Sequence, residues 1–128
     1  MTPSAFRPLI SFQAEAEQRD HLRYIILAGE ALESATLQLW YATRSEDSPK
    51  IINMYGTTET TVHASYRVMK ALDCLQVLSP IGVKIPDLTI YILDTQGRPA
   101  PLGVIGELCI GGAGVTRGYL NRAELTSE

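Results

Sequence analysis

The chain has 128 residues, 45% of them apolar and 20% charged, with a net charge of −3 at pH 7. That length suits one small domain, and the composition is that of an ordinary globular protein. The slight acidity argues against nucleic acid or an anionic membrane as partner, no apolar run is long enough to cross a bilayer, and with no export signal the cytoplasm is the expected compartment.

Taken in chain order, Ser11 to Leu22 is rich in Glu, Gln and Ala and predicts a surface helix. Leu22-Arg23-Tyr24-Ile25-Ile26-Leu27-Ala28, ended by Gly29, predicts a short strand buried on both faces, because its apolarity is almost continuous. Ser34 to Ala42 carries Leu37, Leu39, Trp40 and Tyr41 at helical spacing. Ser45 to Pro49 is a polar loop, and Lys50 to Tyr55 is a second strand ended by Gly56. Strand, helix, strand in this order predicts a βαβ unit with parallel strands.

After Tyr66, Pro80, Gly82, Pro86, Gly97, Pro99, Pro101 and Gly103 exclude long helices. Leu88 to Leu93 reads as a strand, Asp94 to Gly97 as a turn, and Gly106 to Gly111 as a further strand. The expected fold class is therefore α/β: a βαβ piece over residues 1–75, then a mainly antiparallel β piece, of distorted-barrel type, over 76–128. Cys74 and Cys109 are too few for a disulfide framework and have no Cys or His at metal spacing, so both read as reduced structural thiols. Both termini read as cut: the chain opens without a polar lead-in and stops at Leu125 to Glu128, where a helix could begin.

Two segments carry chemistry. The first is Asn53-Met54-Tyr55-Gly56-Thr57-Thr58-Glu59-Thr60-Thr61. A strand ending in Gly, followed by hydroxyls and one acid, lies where α/β sheets bind ligands, at the carboxyl ends of parallel strands. Gly56 permits close backbone approach, threonine hydroxyls can bond phosphate oxygens, and Glu59 beside phosphates makes sense if it holds Mg²⁺. The plainer reading is a strand-to-helix connection with Thr58 as N-cap. The second segment, Gly106 to Leu120, is glycine-dense but is neither a P-loop nor a dinucleotide fingerprint. By itself it reads as a structural β-hairpin region.

Together the two segments resemble the adenylate-forming superfamily, specifically the adenylation domains of nonribosomal peptide synthetases. Asn53 to Glu59 matches N-x-Y-G-P-T-E, and Gly106 to Leu120 matches G-E-L-x-I-x-G-x-G-V-A-R-G-Y-L almost throughout. Ser79 to Gly82, Ile92 to Leu108, Thr2 to Phe6 and Leu22 to Leu32 also follow the family, so the resemblance covers essentially the whole chain. Thr57 replaces the usual proline, and Val83-Lys84 stands where the family often has Arg-Pro.

The resemblance implies a segment of an ATP-dependent, AMP-forming ligase. Its parent would make an aminoacyl adenylate and pass the acyl group to the phosphopantetheine thiol of a peptidyl carrier domain, working beside condensation domains. By position, Tyr55 would stack on adenine, Asn53 would meet its amino edge, and Gly29, Glu30 and Ala31 would form another wall. Gly56 would give close approach, Thr58 would bind the α-phosphate, and Glu59 would ligate Mg²⁺. Ile26, Ala28, Met54, Val62 and His63 would line the amino-acid pocket, and the Met, Val, His combination resembles threonine-activating domains. The family's phosphate loop, ribose-binding aspartate and catalytic lysine do not occur in these 128 residues, so no catalysis by the chain alone is expected. Two alternatives are a segment of an acyl-CoA synthetase-type ligase and a non-catalytic nucleotide-binding remnant. The absence of Arg-Gly-Pro at Ile110-Gly111-Gly112 argues against the first.

Overall fold

A computed structural model describes residues 1–14, 21–47, 49–76 and 78–127. The chain divides into two units, Met1–Tyr55 with Ser65–Val83, and Gly56–Ala64 with Lys84–Glu128.

The first unit begins with helix α1, Pro3–Ala14. Proline suits the first helical position, where its missing N–H would have had no partner. The free N–H groups of that end are met by the Glu30 carboxylate, which accepts from Ser4 N at 3.2 Å and Ser4 Oγ at 2.9 Å, and by Thr2 Oγ1, which accepts from Ala5 N at 3.3 Å. The helix thus starts at Pro3, ahead of the one expected from Ser11 to Leu22, and shares residues 11–14 with it. Phe6 and Ile10, one turn apart, are both buried and fix its inner face, an apolar pair that outweighs the lower helix propensity around Pro8. Residues 15–20 lie outside the described residues, and His21 and Leu22 are not helical.

Strand β1, Tyr24–Leu27, pairs in parallel with β2, Lys50–Tyr55, in the register Ile25↔Ile51 and Leu27↔Asn53. Between them run a 3-10 turn, Ser34–Leu37, and helix α2, Gln38–Thr43, so the expected βαβ unit is present. Strand β3, Ser65–Val68, adds antiparallel to β2, with Met54↔Tyr66 and Ile52↔Val68. Strand β3 is not evident in the sequence, because four residues are too few to show alternation. The two-residue strand β4, Val83–Lys84, completes the order β1-β2-β3-β4.

Phe6, Ile10, Ile25, Leu27, Leu32, Leu37, Trp40, Ile51, Met69 and Cys74 form one core, with Phe6 and Trp40 ring centroids 5.2 Å apart. Both helices cover the same sheet face. β1 is therefore not buried on both sides as expected: Ile25 and Leu27 point into the core, while Tyr24 and Ile26 are 52% and 46% exposed. Continuous apolarity shows that both faces are greasy; it does not show that this chain supplies a cover for each. Asp73, buried, ties down the segment after β3. It accepts from Arg67 Nη2 at 2.7 Å, Arg67 Nε at 3.3 Å and Lys70 N at 3.0 Å.

The second unit contains the hairpin of β5, Leu88–Leu93, and β6, Glu107–Gly112, antiparallel from Leu88↔Gly112 to Leu93↔Glu107. Both strands fall where the sequence puts them. Asp94 organises the expected turn: its Oδ1 accepts from Gln96 N at 2.8 Å and Arg98 N at 2.9 Å, and Arg98 Nη2 meets its Oδ2 at 3.0 Å. The described residues here form a two-stranded hairpin and no closed barrel. Helix α3, Ala123–Ser127, starts just ahead of the polar stretch expected to open one.

Candidate functional site

In the first unit, the parallel register sets the carboxyl ends of β1 and β2 side by side, so that Ala28-Gly29-Glu30-Ala31 leaves the sheet next to Asn53 and Tyr55. Alternation then sorts the candidate residues by face. Ile26 and Met54 share the uncovered face with Tyr24, Ile52, Tyr66 and Val68. Asn53 points the other way and is buried; its Nδ2 donates to Pro80 O at 2.9 Å. Leu32 N donates to Ser79 Oγ at 3.1 Å and Ser34 Oγ to Leu78 O at 3.1 Å, so Leu78, Ser79 and Pro80 are fastened beside these strand ends at three points. Tyr55 ends β2 opposite Ser65 and is half-buried. Ala28 is half-buried, and Gly29, Glu30 and Ala31 are exposed. The Glu30 side chain is already engaged: its two bonds from Ser4, the hydroxyl first, hold its carboxyl below the usual carboxylate range.

In the second unit, Gly56–Ala64 is a tight loop. A methyl group on Gly56 would lie 2.4 Å from Val62 O and 2.6 Å from His63 Cα, so only glycine fits that close approach. Thr58–Thr60 forms one 3-10 turn, and its N-cap is Thr57, one residue ahead of the Thr58 cap considered from the sequence. Thr57 N donates to Thr60 Oγ1 at 2.9 Å. That closes the turn and leaves Thr58 and Glu59 exposed at its tip. Hydrogen bonds from the Thr57 side chain, then from its own backbone, hold the Glu59 carboxyl below the usual range. Thr61 and Val62 follow at φ 52° and 78°. Left-handed backbone at two successive non-glycine residues, both β-branched, is strain of the kind that collects at ligand-handling loops. Val62 is exposed, and the buried Nδ1 of His63 has no hydrogen-bond partner among the described residues.

The second unit also holds a residue that the sequence reading did not single out. Tyr119 donates its hydroxyl to the Glu59 carboxylate. Thr116 N donates to Glu59 O at 2.7 Å, and Thr61 Oγ1 to Gly114 O at 2.7 Å. Glu59, Thr116, Arg117, Gly118 and Tyr119 line a cleft of about 460 Å³. Sixty residues separate Glu59 from Tyr119, and the one available hint was that both belong to the two matched motifs. Among the described residues no three His, Cys, Asp or Glu side chains gather as a metal cage. Mg²⁺ does not need one, since it is commonly held by one or two carboxylates together with substrate phosphates. A single exposed carboxylate at the tip of a hydroxyl-rich turn fits that donor set.

Comparison with known proteins supplies the context. The family model for AMP-binding enzymes matches residues 1–120. Malpinin synthetase of Mortierella alpina is 58% identical over 128 residues, all of this chain and 2% of that protein. The dimodular nonribosomal peptide synthase of Bacillus subtilis (strain 168) is 51% identical over 133 residues, covering 99% of this chain and 6% of the relative. The solved structure of PA1221, an NRPS protein containing adenylation and PCP domains, superposes with a TM-score of 0.85 at 27% identity, over 98% of this chain and 25% of that one. This chain thus spans a small part of the proteins it matches. Motif order, fold and relatives agree, and the chain belongs to the AMP-binding enzyme family as a segment of a nonribosomal peptide synthetase adenylation domain.

Proposed function

We propose that this segment supplies the adenine wall, the metal-holding carboxylate and half of the amino-acid pocket of a site that forms aminoacyl-AMP from ATP, with threonine as the amino acid. The observation that carries the reading is the parallel register Leu27↔Asn53, which aligns Gly29-Glu30-Ala31 with Asn53 and Tyr55 at the ligand-binding end of the sheet. Tyr55 offers a flat face for the base, and the buried, anchored Asn53 sits at the same strand end. Thr58 binds the α-phosphate from the tip of its turn, with Gly56 keeping the backbone close. Glu59 holds Mg²⁺, which when bound neutralises phosphate charge as the carboxylate of the amino acid attacks. Both stretches, 1–75 and 76–128, belong to one AMP-binding domain, in keeping with a single family match over 1–120.

For the amino acid, the first unit offers apolar surface at Ile26 and Met54 and a small side chain at Ala28; in the second unit Val62 is apolar and the unpartnered Nδ1 of His63 suits a substrate hydroxyl. The product passes to the phosphopantetheine thiol of a carrier domain, with condensation domains acting downstream in the cytoplasm. Among the described residues no helix is long and apolar enough to cross a membrane.

ATP–pyrophosphate exchange by the adenylation domain carrying this segment, run over a panel of amino acids, is the test. Threonine should give the strongest exchange. Tyr55→Ala should raise the KM for ATP roughly tenfold, the worth of one base–aromatic stack. His63→Ala should lower the preference for threonine over valine by roughly tenfold, the worth of a hydrogen bond to a buried partner. An unchanged ATP KM in Tyr55→Ala would overturn the adenine wall, and strongest exchange with a large or charged amino acid would overturn the pocket.

A further inference from the structure

We infer that Tyr119 is a positioning residue for Glu59: its hydroxyl holds the carboxylate at the angle required to take a metal ion that arrives with nucleotide. This inference rests on the reading of Glu59 as the metal-holding carboxylate.

Glu59 stands exposed on a one-turn loop, and a long, flexible acid there would sample many rotamers. Three contacts from one segment restrain it. Thr116 N holds the Glu59 backbone carbonyl, Gly114 O holds the neighbouring Thr61 hydroxyl, and Tyr119 Oη takes one carboxylate oxygen. With one oxygen taken by Tyr119, and Thr57 also bonding the carboxylate, a single metal–oxygen bond is favoured over a two-oxygen grip. Mg²⁺ demands near-ideal octahedral geometry and loses its waters reluctantly, so a pre-aimed single oxygen suits it. Partners that orient a metal ligand in this way commonly matter nearly as much as the ligand itself.

Tyr119 is itself anchored. Its N–H donates to Thr126 Oγ1 at 3.0 Å, and that hydroxyl donates to Arg122 O at 2.8 Å. Gly118, at φ 132°, lies where a methyl would meet Thr126 Cγ2 at 2.3 Å, so the chain entering Tyr119 is pressed against helix α3. The run Gly114 to Tyr119 thus acts as a brace from Thr126 of α3 to the carboxylate. This gives the glycine-dense second motif a task that its composition alone does not disclose.

The experiment uses the adenylation domain carrying this segment and four forms: unaltered, Tyr119→Phe, Glu59→Gln and the double variant. Mn²⁺ affinity in the presence of a non-hydrolysable ATP analogue is read by electron paramagnetic resonance, and thermal unfolding confirms that each form is folded. Tyr119→Phe keeps the ring and should weaken Mn²⁺ binding about tenfold, with the affinity for the metal-free analogue unchanged. The double variant should lose no more than Glu59→Gln alone. Unchanged or tighter Mn²⁺ binding in Tyr119→Phe, or a double variant whose losses add, overturns the positioning role while leaving Glu59 as a ligand. Unchanged Mn²⁺ binding in Glu59→Gln overturns the reading of Glu59 and the inference built on it.

Discussion

The first unit carries a ten-residue core in which two helices close one face of a sheet, whereas the second has Leu88 as its one large buried apolar side chain among the described residues. In the second unit, turn chemistry takes the place of a core: Asp94 gathers its hairpin turn, Thr57 and Thr60 close the 3-10 turn, and Gly56 admits close backbone packing. The difference separates two jobs. The core unit holds strand ends rigidly in register, as the proposed base-binding wall needs. The loop unit presents hydroxyls and one acid on short, hydrogen-bonded turns, where small shifts in geometry are possible without disturbing a core. Strain at Thr61 and Val62 sits on the loop side of this divide.

Substitutions can sharpen the contrast or break it. Trp40→Ala, which removes a buried indole packed between Phe6 and the Arg44 guanidinium, should destabilise the domain by about 3–5 kcal/mol in urea denaturation. A loss under 1 kcal/mol would mean that the core does not carry the first unit. Gly56→Ala should cost about 3 kcal/mol, since the added methyl meets backbone that has no side chain to swing aside. The shift would appear in the melting temperature, and an unchanged value would show that the loop has slack.

Next in size comes Asp73→Asn, at about 2 kcal/mol near neutral pH. The hydrogen-bonded Arg67 guanidinium, helped by Lys70 N–H, holds the Asp73 carboxyl below its usual range. A depressed folded-state value means the stabilisation is complete above the unfolded-state value of about 3.9 and disappears as pH falls through the lower folded-state value. Stability curves of the two forms should therefore converge in acid; a gap of constant size at all pH values would assign the effect to packing. The smallest change has the opposite sign. Val62→Gly removes a β-branched residue from left-handed backbone and should stabilise by about 1 kcal/mol. Its cost should appear as weaker discrimination among small amino acids in the exchange assay. A destabilised variant would mean that the loop gains more from the valine side chain than it spends in backbone strain.

How far the site was legible depended on the range of each interaction. Lys50 to Tyr55 and Leu88 to Leu93 were readable as strands because each is a short apolar run bounded by breakers, and the turn at Asp94 because aspartate and glycine occur at turn spacing. Helix α1 starts earlier than composition suggests: composition favours Ser11 onward, while Phe6 and Ile10 have meaning only against Trp40 and the sheet. Glu30 shows the same limit at the site. The motif names it, but its carboxylate is engaged by Ser4, 26 residues away.

From the sequence alone come the α/β class, the parallel pairing, the two motifs and hence the family, because periodicity, breakers and motif spacing are local properties written along the chain. Only the tertiary structure decides that β1 keeps one face uncovered, that Asn53 is buried against Pro80, and that Tyr119 reaches Glu59. The physical reason is that burial and hydrogen-bond partners are set by which distant segments fold back on one another, and no local pattern encodes that choice.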